Sequence, residues 1–205
     1  MVKLRETTFV FDKKGRIRAE NKKALTDLRE LKRILFEAQG CYELWWTYLQ
    51  VKSKTEYFHV LLNFKDFFEI TARAYISNLV ISLYKLYDGG NKVLNIGSLI
   101  KETENILDSN EKQHIQGLMN KAKPIWGKVA KLRSNLFAHR SNQLTRDEIY
   151  KMAQITPNQL RDLIDLSLEI LNVISAKLHE PIGKFEHLEG KDMNKILTAL
   201  GCKLE

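Results

Sequence analysis

Residues 133–139, RSNLFAH, place a guanidinium, a carboxamide and an imidazole close together in the chain, at Arg133, Asn135 and His139. They stand among the core-type residues Leu136, Phe137 and Ala138. Such groups can do chemistry together. An imidazole titrates near neutrality and moves protons. A guanidinium presents a planar fork of donors to anionic oxygens. The same stretch also reads as a packing helix with polar edges, in which His139 is an ordinary core histidine beside a surface arginine.

Helical spacing bears on that choice. At about 100° and about 1.5 Å per residue, Ile125, Val129, Leu132, Leu136 and His139 fall on one stripe, so His139 points along the packing face. Asn135 lies four residues before His139 and about 40° around the helix, near enough for its amide to orient the ring. Arg133 lies about 120° around and about 9 Å along the axis from His139, with Arg140 beside its edge. On one straight helix Arg133 and His139 cannot grip a single small group. They meet if the helix unwinds before His139, or across a two-fold axis where two copies of the helix pack together.

The surrounding charge is one-sided. Between Lys112 and Arg146 stand eight basic residues and no Asp or Glu, equal to the whole net charge of +8. This is a solvated, lysine-rich helix face or an electropositive surface for a polyanion, most naturally nucleic acid.

The elements that must hold these residues read as helices. The 205 residues are enough to bury a real core, and 10 Gly and 3 Pro are few breakers for a many-turned β fold. Residues 1–20 form an N-terminal arm or short hairpin (TTFVF, DKKG, RIRA). From Asn21 a stripe of Leu25, Leu28, Leu31, Leu35, Ala38 and Tyr42 marks a long helix running through ELWWTYLQ, with Trp45 and Trp46 as core or interface anchors. A second long helix runs from about Thr55 to Tyr87, with Phe64, Phe68, Ala72, Leu79, Leu83 and Leu86 in step, and ends at Asp88-Gly89-Gly90 through a left-handed glycine. Ser98 is expected to cap a short helix over 99–107. The next helix starts near Asn110 and is interrupted or restarted by Pro124, so that the motif lies on a helix over 124–140. Thr145 with Glu148 marks a short helix. Thr156-Pro157-Asn158-Gln159 is a full start signal for a helix to about His179, stopped by Glu180-Pro181. A last helix over about 189–200 puts Met193, Ile196, Leu197 and Leu200 on one face, with Gly201 after its end. The division expected is an arm over 1–20, a bundle over 21–180 and a C-terminal helical appendage over 181–205.

Several classes are set aside. The chain has no GxxxxGK[ST], GxGxxG or HExxH motif. His59, His114, His139, His179 and His187 are scattered, without metal-ligand spacing. Cys41 and Cys202 match no redox or metal pattern, and Cys41 reads as a buried thiol in a reduced, intracellular protein. The N-terminus has no apolar signal core. AYISNLVISLYKLY, the most apolar stretch, is broken by Ser77, Asn78, Ser82 and Lys85, short of the roughly 18 apolar residues of a membrane span. No membrane association and a cytoplasmic location are expected.

RSNLFAH followed by RSN resembles the signature of the HEPN superfamily (higher eukaryotes and prokaryotes nucleotide-binding), an Arg a few residues ahead of a His on a late helix, with an Ala before the His. Upstream, NLVISLYKLYDGG followed by NIGSLIKE is similar to the abortive-infection AbiU-type branch, where a long helix ends in a leucine-aromatic-Asp stretch before a Ser-Leu helix start. The resemblance covers roughly residues 60–175. It implies an all-α, HEPN-like helical bundle of five to seven helices with an N-terminal arm, dimerising through the 124–140 helix. Many HEPN domains are metal-independent endoribonucleases of toxin–antitoxin or phage-defence systems. The family's Arg and His map to Arg133 and His139. The usual polar residue after the Arg is replaced by Ser134, with Asn135 one further. The Tyr that some relatives carry two residues after the His, where a partner nucleotidyltransferase modifies it, is here Ser141.

The implied chemistry is attack of a ribose 2′-OH on the adjacent phosphorus. Arg133 would bind phosphate, His139 serve as general acid/base and Asn135 orient it, with Lys128, Lys131, Ser134 and Arg140 along the RNA backbone. No metal or cofactor is expected. RNA, a second copy and an antitoxin are the implied partners. A non-catalytic HEPN module binding RNA, nucleotide or protein, and a purely structural helical protein, remain as alternatives.

Overall fold

The structure, a computed structural model, is described for residues 19–52, 57–90, 93–138, 153–180 and 188–201. The expected arm, the Thr145 helix, His139, Arg140, Ser141, His187 and Cys202 lie outside these residues. Among the described residues there are seven α-helices and no strand, an all-α bundle as the sequence implied. They are α1 (Ala19–Lys52), α2 (Phe58–Asn63), α3 (Lys65–Tyr87), α4 (Ile96–Thr103), α5 (Ser109–Leu132), α6 (Pro157–Lys177) and α7 (Leu188–Gly201). A π-helical segment, Arg133–Ala138, continues α5.

The α1 stripe is the spine of the core. Leu28, Leu31, Leu35 and Ala38 are fully buried, and they pack with Leu79, Leu83 and Leu86 of α3 and Leu163, Ile164 and Leu171 of α6. Trp45 and Trp46 pack partly buried against this core and around Tyr42, the anchoring role read from the sequence. One buried polar tie joins α3 to α6. The Tyr87 hydroxyl meets Ser167 Oγ at 2.7 Å, and Ser167 donates to Leu163 O at 2.6 Å. Burial pushes the Tyr87 phenol far above its ordinary range, with the Ser167 bond opposing, so it stays protonated.

Helices α5 and α6 run antiparallel. Lys177 near the end of α6 reaches Glu111 in the first turn of α5, at 2.9 Å. At the other end Lys128 donates to Gln154 O at 2.8 Å and Gln159 Oε1 at 3.1 Å. A smaller second core joins Tyr48 of α1, Val60 of α2, and Phe68 and Ala72 of α3 to Met193 and Leu197 of α7. There α7 comes close to α1: a Cβ on Gly190 would lie 2.9 Å from Thr47 Oγ1.

Several boundaries differ from the sequence reading, each for a local reason. The second long helix breaks at Phe64, whose backbone (φ −116°, ψ 32°) leaves the α region, and the Phe64 ring is largely exposed. Asp88 ends α3 in an extended conformation, and neither Gly89 nor Gly90 is left-handed. Asn95, not Ser98, caps α4. Its Oδ1 accepts from Ser98 N at 2.7 Å, and Ser98 Oγ accepts from Asn95 N at 3.0 Å, so Ser98 closes the box three residues in. The Asn95 amide also donates to Asp88 O at 2.6 Å, tying the end of α3 to the start of α4. Pro124 does not interrupt its helix: α5 runs through it, started by a reciprocal box of Asp108 and Glu111. Ile196 of α7 is 53% exposed rather than on the buried face, and Gly201 is the last helical residue.

The start of α6 is as read, with Thr156 as cap, Pro157 at the first position and Gln159 closing the box. Its end carries a feature the sequence hid. His179 has φ 53°, with His179 N donating to Ala176 O and Glu180 N to Ser175 O, a Schellman closure with histidine where glycine is usual. Arg29 holds the next residue, Glu180, through paired bonds of 3.1 and 3.0 Å. A left-handed non-glycine residue costs about 1–2 kcal/mol, part of which glycine returns as unfolded-state entropy. His179→Gly is therefore expected to stabilise the fold by roughly 0.5–1 kcal/mol, seen as a higher urea midpoint at unchanged slope.

Candidate functional site

The motif sits where α-geometry gives way. After Leu132 the chain adopts i→i+5 winding through Arg133–Ala138, a widened turn that in helices is often associated with function. In that winding the N–H of Asn135 is not aimed at the carbonyl four residues back. The Asn135 side-chain amide donates to that carbonyl, Lys131 O, at 2.7 Å. The 120° separation between Arg133 and His139 assumed an α-helix throughout, and it does not carry across a π-helical turn. The helix assigned to 124–140 is the end of α5 followed by this turn.

Arg133 is half-buried, and its guanidinium lies over the Tyr84 ring, 4.8 Å from the centroid. Tyr84 also stacks with Trp126 of α5 (5.9 Å between centroids, 25° between planes), and the Trp126 indole donates to Tyr84 O at 3.3 Å. The Tyr84 hydroxyl reaches Asp88 at 3.3 Å. Stacking holds a guanidinium in one plane without occupying its in-plane donors. Among the described residues no carboxylate pairs with Arg133, so those donors and the positive charge remain for an anionic ligand.

The other expected site residues divide. Ser134 and Lys131 are exposed beside Arg133, and Asn135 is half-buried with its amide nitrogen engaged on its own helix. Lys128 is committed elsewhere, holding the chain at Gln154 and the α6 cap at Gln159. His139 and Arg140 lie outside the described residues. Tyr84 and Trp126 were missed as site residues. The available signal was the seven-residue step from Trp126 to Arg133, which puts both on one face of a helix.

No other described group competes for a catalytic role. Burial pushes the Cys41 thiol above its usual range, partly opposed by the Asn78 amide at 3.4 Å, the reverse of an activated nucleophile. Among the described residues no three His, Cys, Asp or Glu side chains cluster as a metal site, and no helix is long and apolar enough to cross a membrane.

Comparison with known families bears on this geometry. The family model for AbiU2, a HEPN family, matches residues 22–191. It thus reaches from the start of α1 into α7, well beyond the stretch whose motifs carried the resemblance. No curated protein and no solved structure matches the chain.

Proposed function

We propose that this chain, which belongs to the AbiU2 family of HEPN domains, is a metal-independent endoribonuclease of an abortive-infection or toxin–antitoxin system. The observation that carries the reading is Arg133: it heads the family's Arg–His motif, is held flat on Tyr84 by a π-helical turn, and has no carboxylate partner among the described residues.

In the proposed reaction the 2′-oxygen of a ribose bonds to the adjacent phosphorus while the bond from phosphorus to the 5′-oxygen of the next nucleotide breaks. A 2′,3′-cyclic phosphate and a free 5′-hydroxyl result. The 2′-hydroxyl loses a proton and the leaving oxygen gains one, and His139 moves a proton at one of these oxygens. Arg133 donates to the phosphoryl oxygens as their charge grows. With its amide nitrogen on Lys131 O, Asn135 keeps Oδ1 as the acceptor that would orient an imidazole N–H. Ser134 and Lys131 flank the phosphate, and Arg140 extends the positive surface. A two-fold dimer through α5 and its π-helical extension would bring Arg133 of one copy to His139 of the other.

The experiment is incubation of the purified full chain with mixed single-stranded RNA in EDTA. Cleavage that persists in EDTA, leaves cyclic phosphate ends and disappears in His139→Ala is the expected result. Cleavage equally strong in His139→Ala would overturn the assignment. Salt-sensitive RNA binding without any cleavage would instead favour a non-catalytic RNA-binding module. Ser134, in the family's usual polar position, and Lys128, tied to the α6 cap, are the observations on that side.

A further inference from the structure

Beyond the motif, a cleft of about 570 Å³ opens between α4 and α5, closed at its base by Tyr87 of α3. It is lined by the lysines Lys101, Lys112 and Lys123, with Glu104 the one acid, and by an apolar wall that includes Ile100, Met119 and Trp126. Among the described residues none of these lysines is paired with a carboxylate, and all three are exposed. The cleft therefore combines uncompensated cations with a flat apolar surface, the pairing that takes phosphates and bases together.

The shape favours a strand over a free nucleotide. Lys112, Met119, Trp126 and Arg133 follow one another at seven-residue steps, so the cleft wall and the motif arginine share one face of the same helix. Lys112 and Lys123 are about 16 Å apart along α5, and Arg133 stands about 10 Å beyond Trp126. A mononucleotide carries its phosphates at one end. Cations spaced along a groove fit a ligand whose charge is spread along its length. The continuous wall asks for unpaired bases, since a duplex hides its base faces.

We propose that the α4–α5 cleft is a track that leads single-stranded RNA to Arg133, with phosphates on Lys101, Lys112 and Lys123 and a base against Met119 and Trp126. The Tyr84 ring, shared by Trp126 and Arg133, joins the end of the track to the motif. This rests on the RNA reading above and adds where the strand lies and that it is unpaired.

The test is lysine acetylation of the full chain, read by mass spectrometry, with a twelve-residue single-stranded RNA, the matching duplex, or polyglutamate of equal charge, alongside binding titrations. Single-stranded RNA is expected to protect Lys101, Lys112 and Lys123 while Lys121, which lines a different groove with His114 and Glu169, stays reactive. The double variant Lys112→Glu, Lys123→Glu is expected to weaken single-strand binding on the order of tenfold or more. Because both lysines are exposed, the fold should tolerate the change, which circular dichroism checks. Equal protection by the duplex or by polyglutamate overturns the track. RNA that binds without protecting the three lysines overturns the track alone and leaves the motif's role intact, whereas failure of any RNA to bind removes both.

Discussion

Arg133→Ala should lower RNA cleavage by about 10²–10³-fold, the usual effect of deleting one donor aimed at developing oxyanion charge. RNA affinity should fall far less. The guanidinium has the two features that make such a donor effective. It is held in one plane over Tyr84, and among the described residues it has no carboxylate partner. Arg133→Lys should restore little, because an ammonium is a point charge without the flat fork that both stacks on a ring and pairs with two phosphoryl oxygens. Loss of the stacking contact costs about 0.5–2 kcal/mol of stability, so thermal midpoints of the variants should move by only a few degrees. The measurement is single-turnover cleavage with saturating enzyme. A variant that cleaves at the parent rate, or one rescued fully by lysine, would show that Arg133 is a packing residue.

Pro124→Ala should do the opposite to stability. Pro124 lies inside α5, where it has no N–H to offer the carbonyl of Asn120 and its ring crowds the preceding turn. Proline in a helix interior is about 3 kcal/mol worse than alanine. The residue is exposed, so no core contact offsets that cost. The expected gain is about 2–3 kcal/mol, or roughly 4–12 °C in thermal midpoint for a chain of this size. Calorimetry checks it. Pro124 stands between Lys123 and Trp126 of the cleft, so the same variant should bind single-stranded RNA more weakly if a bend there shapes the groove. A lower midpoint would mean that the packing of α5 depends on the proline's distortion.

The sequence was most legible where one local signal decides one local structure. The Leu28–Leu31–Leu35 stripe, the Thr156–Gln159 box and the all-helical class all read directly, because period and capping act over a few residues. It was least legible where tertiary context chooses between local options. Asn95 and Ser98 both have capping side chains; the extra bond from Asn95 to Asp88 O favours Asn95, and that depends on where α3 ends. Pro124 is a helix breaker by local chemistry, yet Val129 and Leu132 beyond it bury into the same core as Ile115 and Leu118 before it. Burial on both sides carries the helix through. At the candidate site, Arg133 and Asn135 were identified by type and spacing. The π-helical winding that sets their directions leaves no mark in hydrophobic period, and Tyr84, remote in sequence, is brought to Arg133 by the packing of α3 on α5.

The winding at Arg133–Ala138 also makes the number of residues there matter, apart from their identity. An i→i+5 turn holds one residue more than an α-turn in the same span. Deleting a single residue from this stretch would let α5 continue in regular register, with better backbone bonding. Everything after it would then rotate by about 100° relative to the bundle. A shortened chain of this kind could keep every side chain of the motif but one, gain stability, and still present its histidine in the wrong direction. Within this family, alignment length across the segment is thus a separate observable from residue identity, and single-residue gaps there should separate members that cleave from members that only fold.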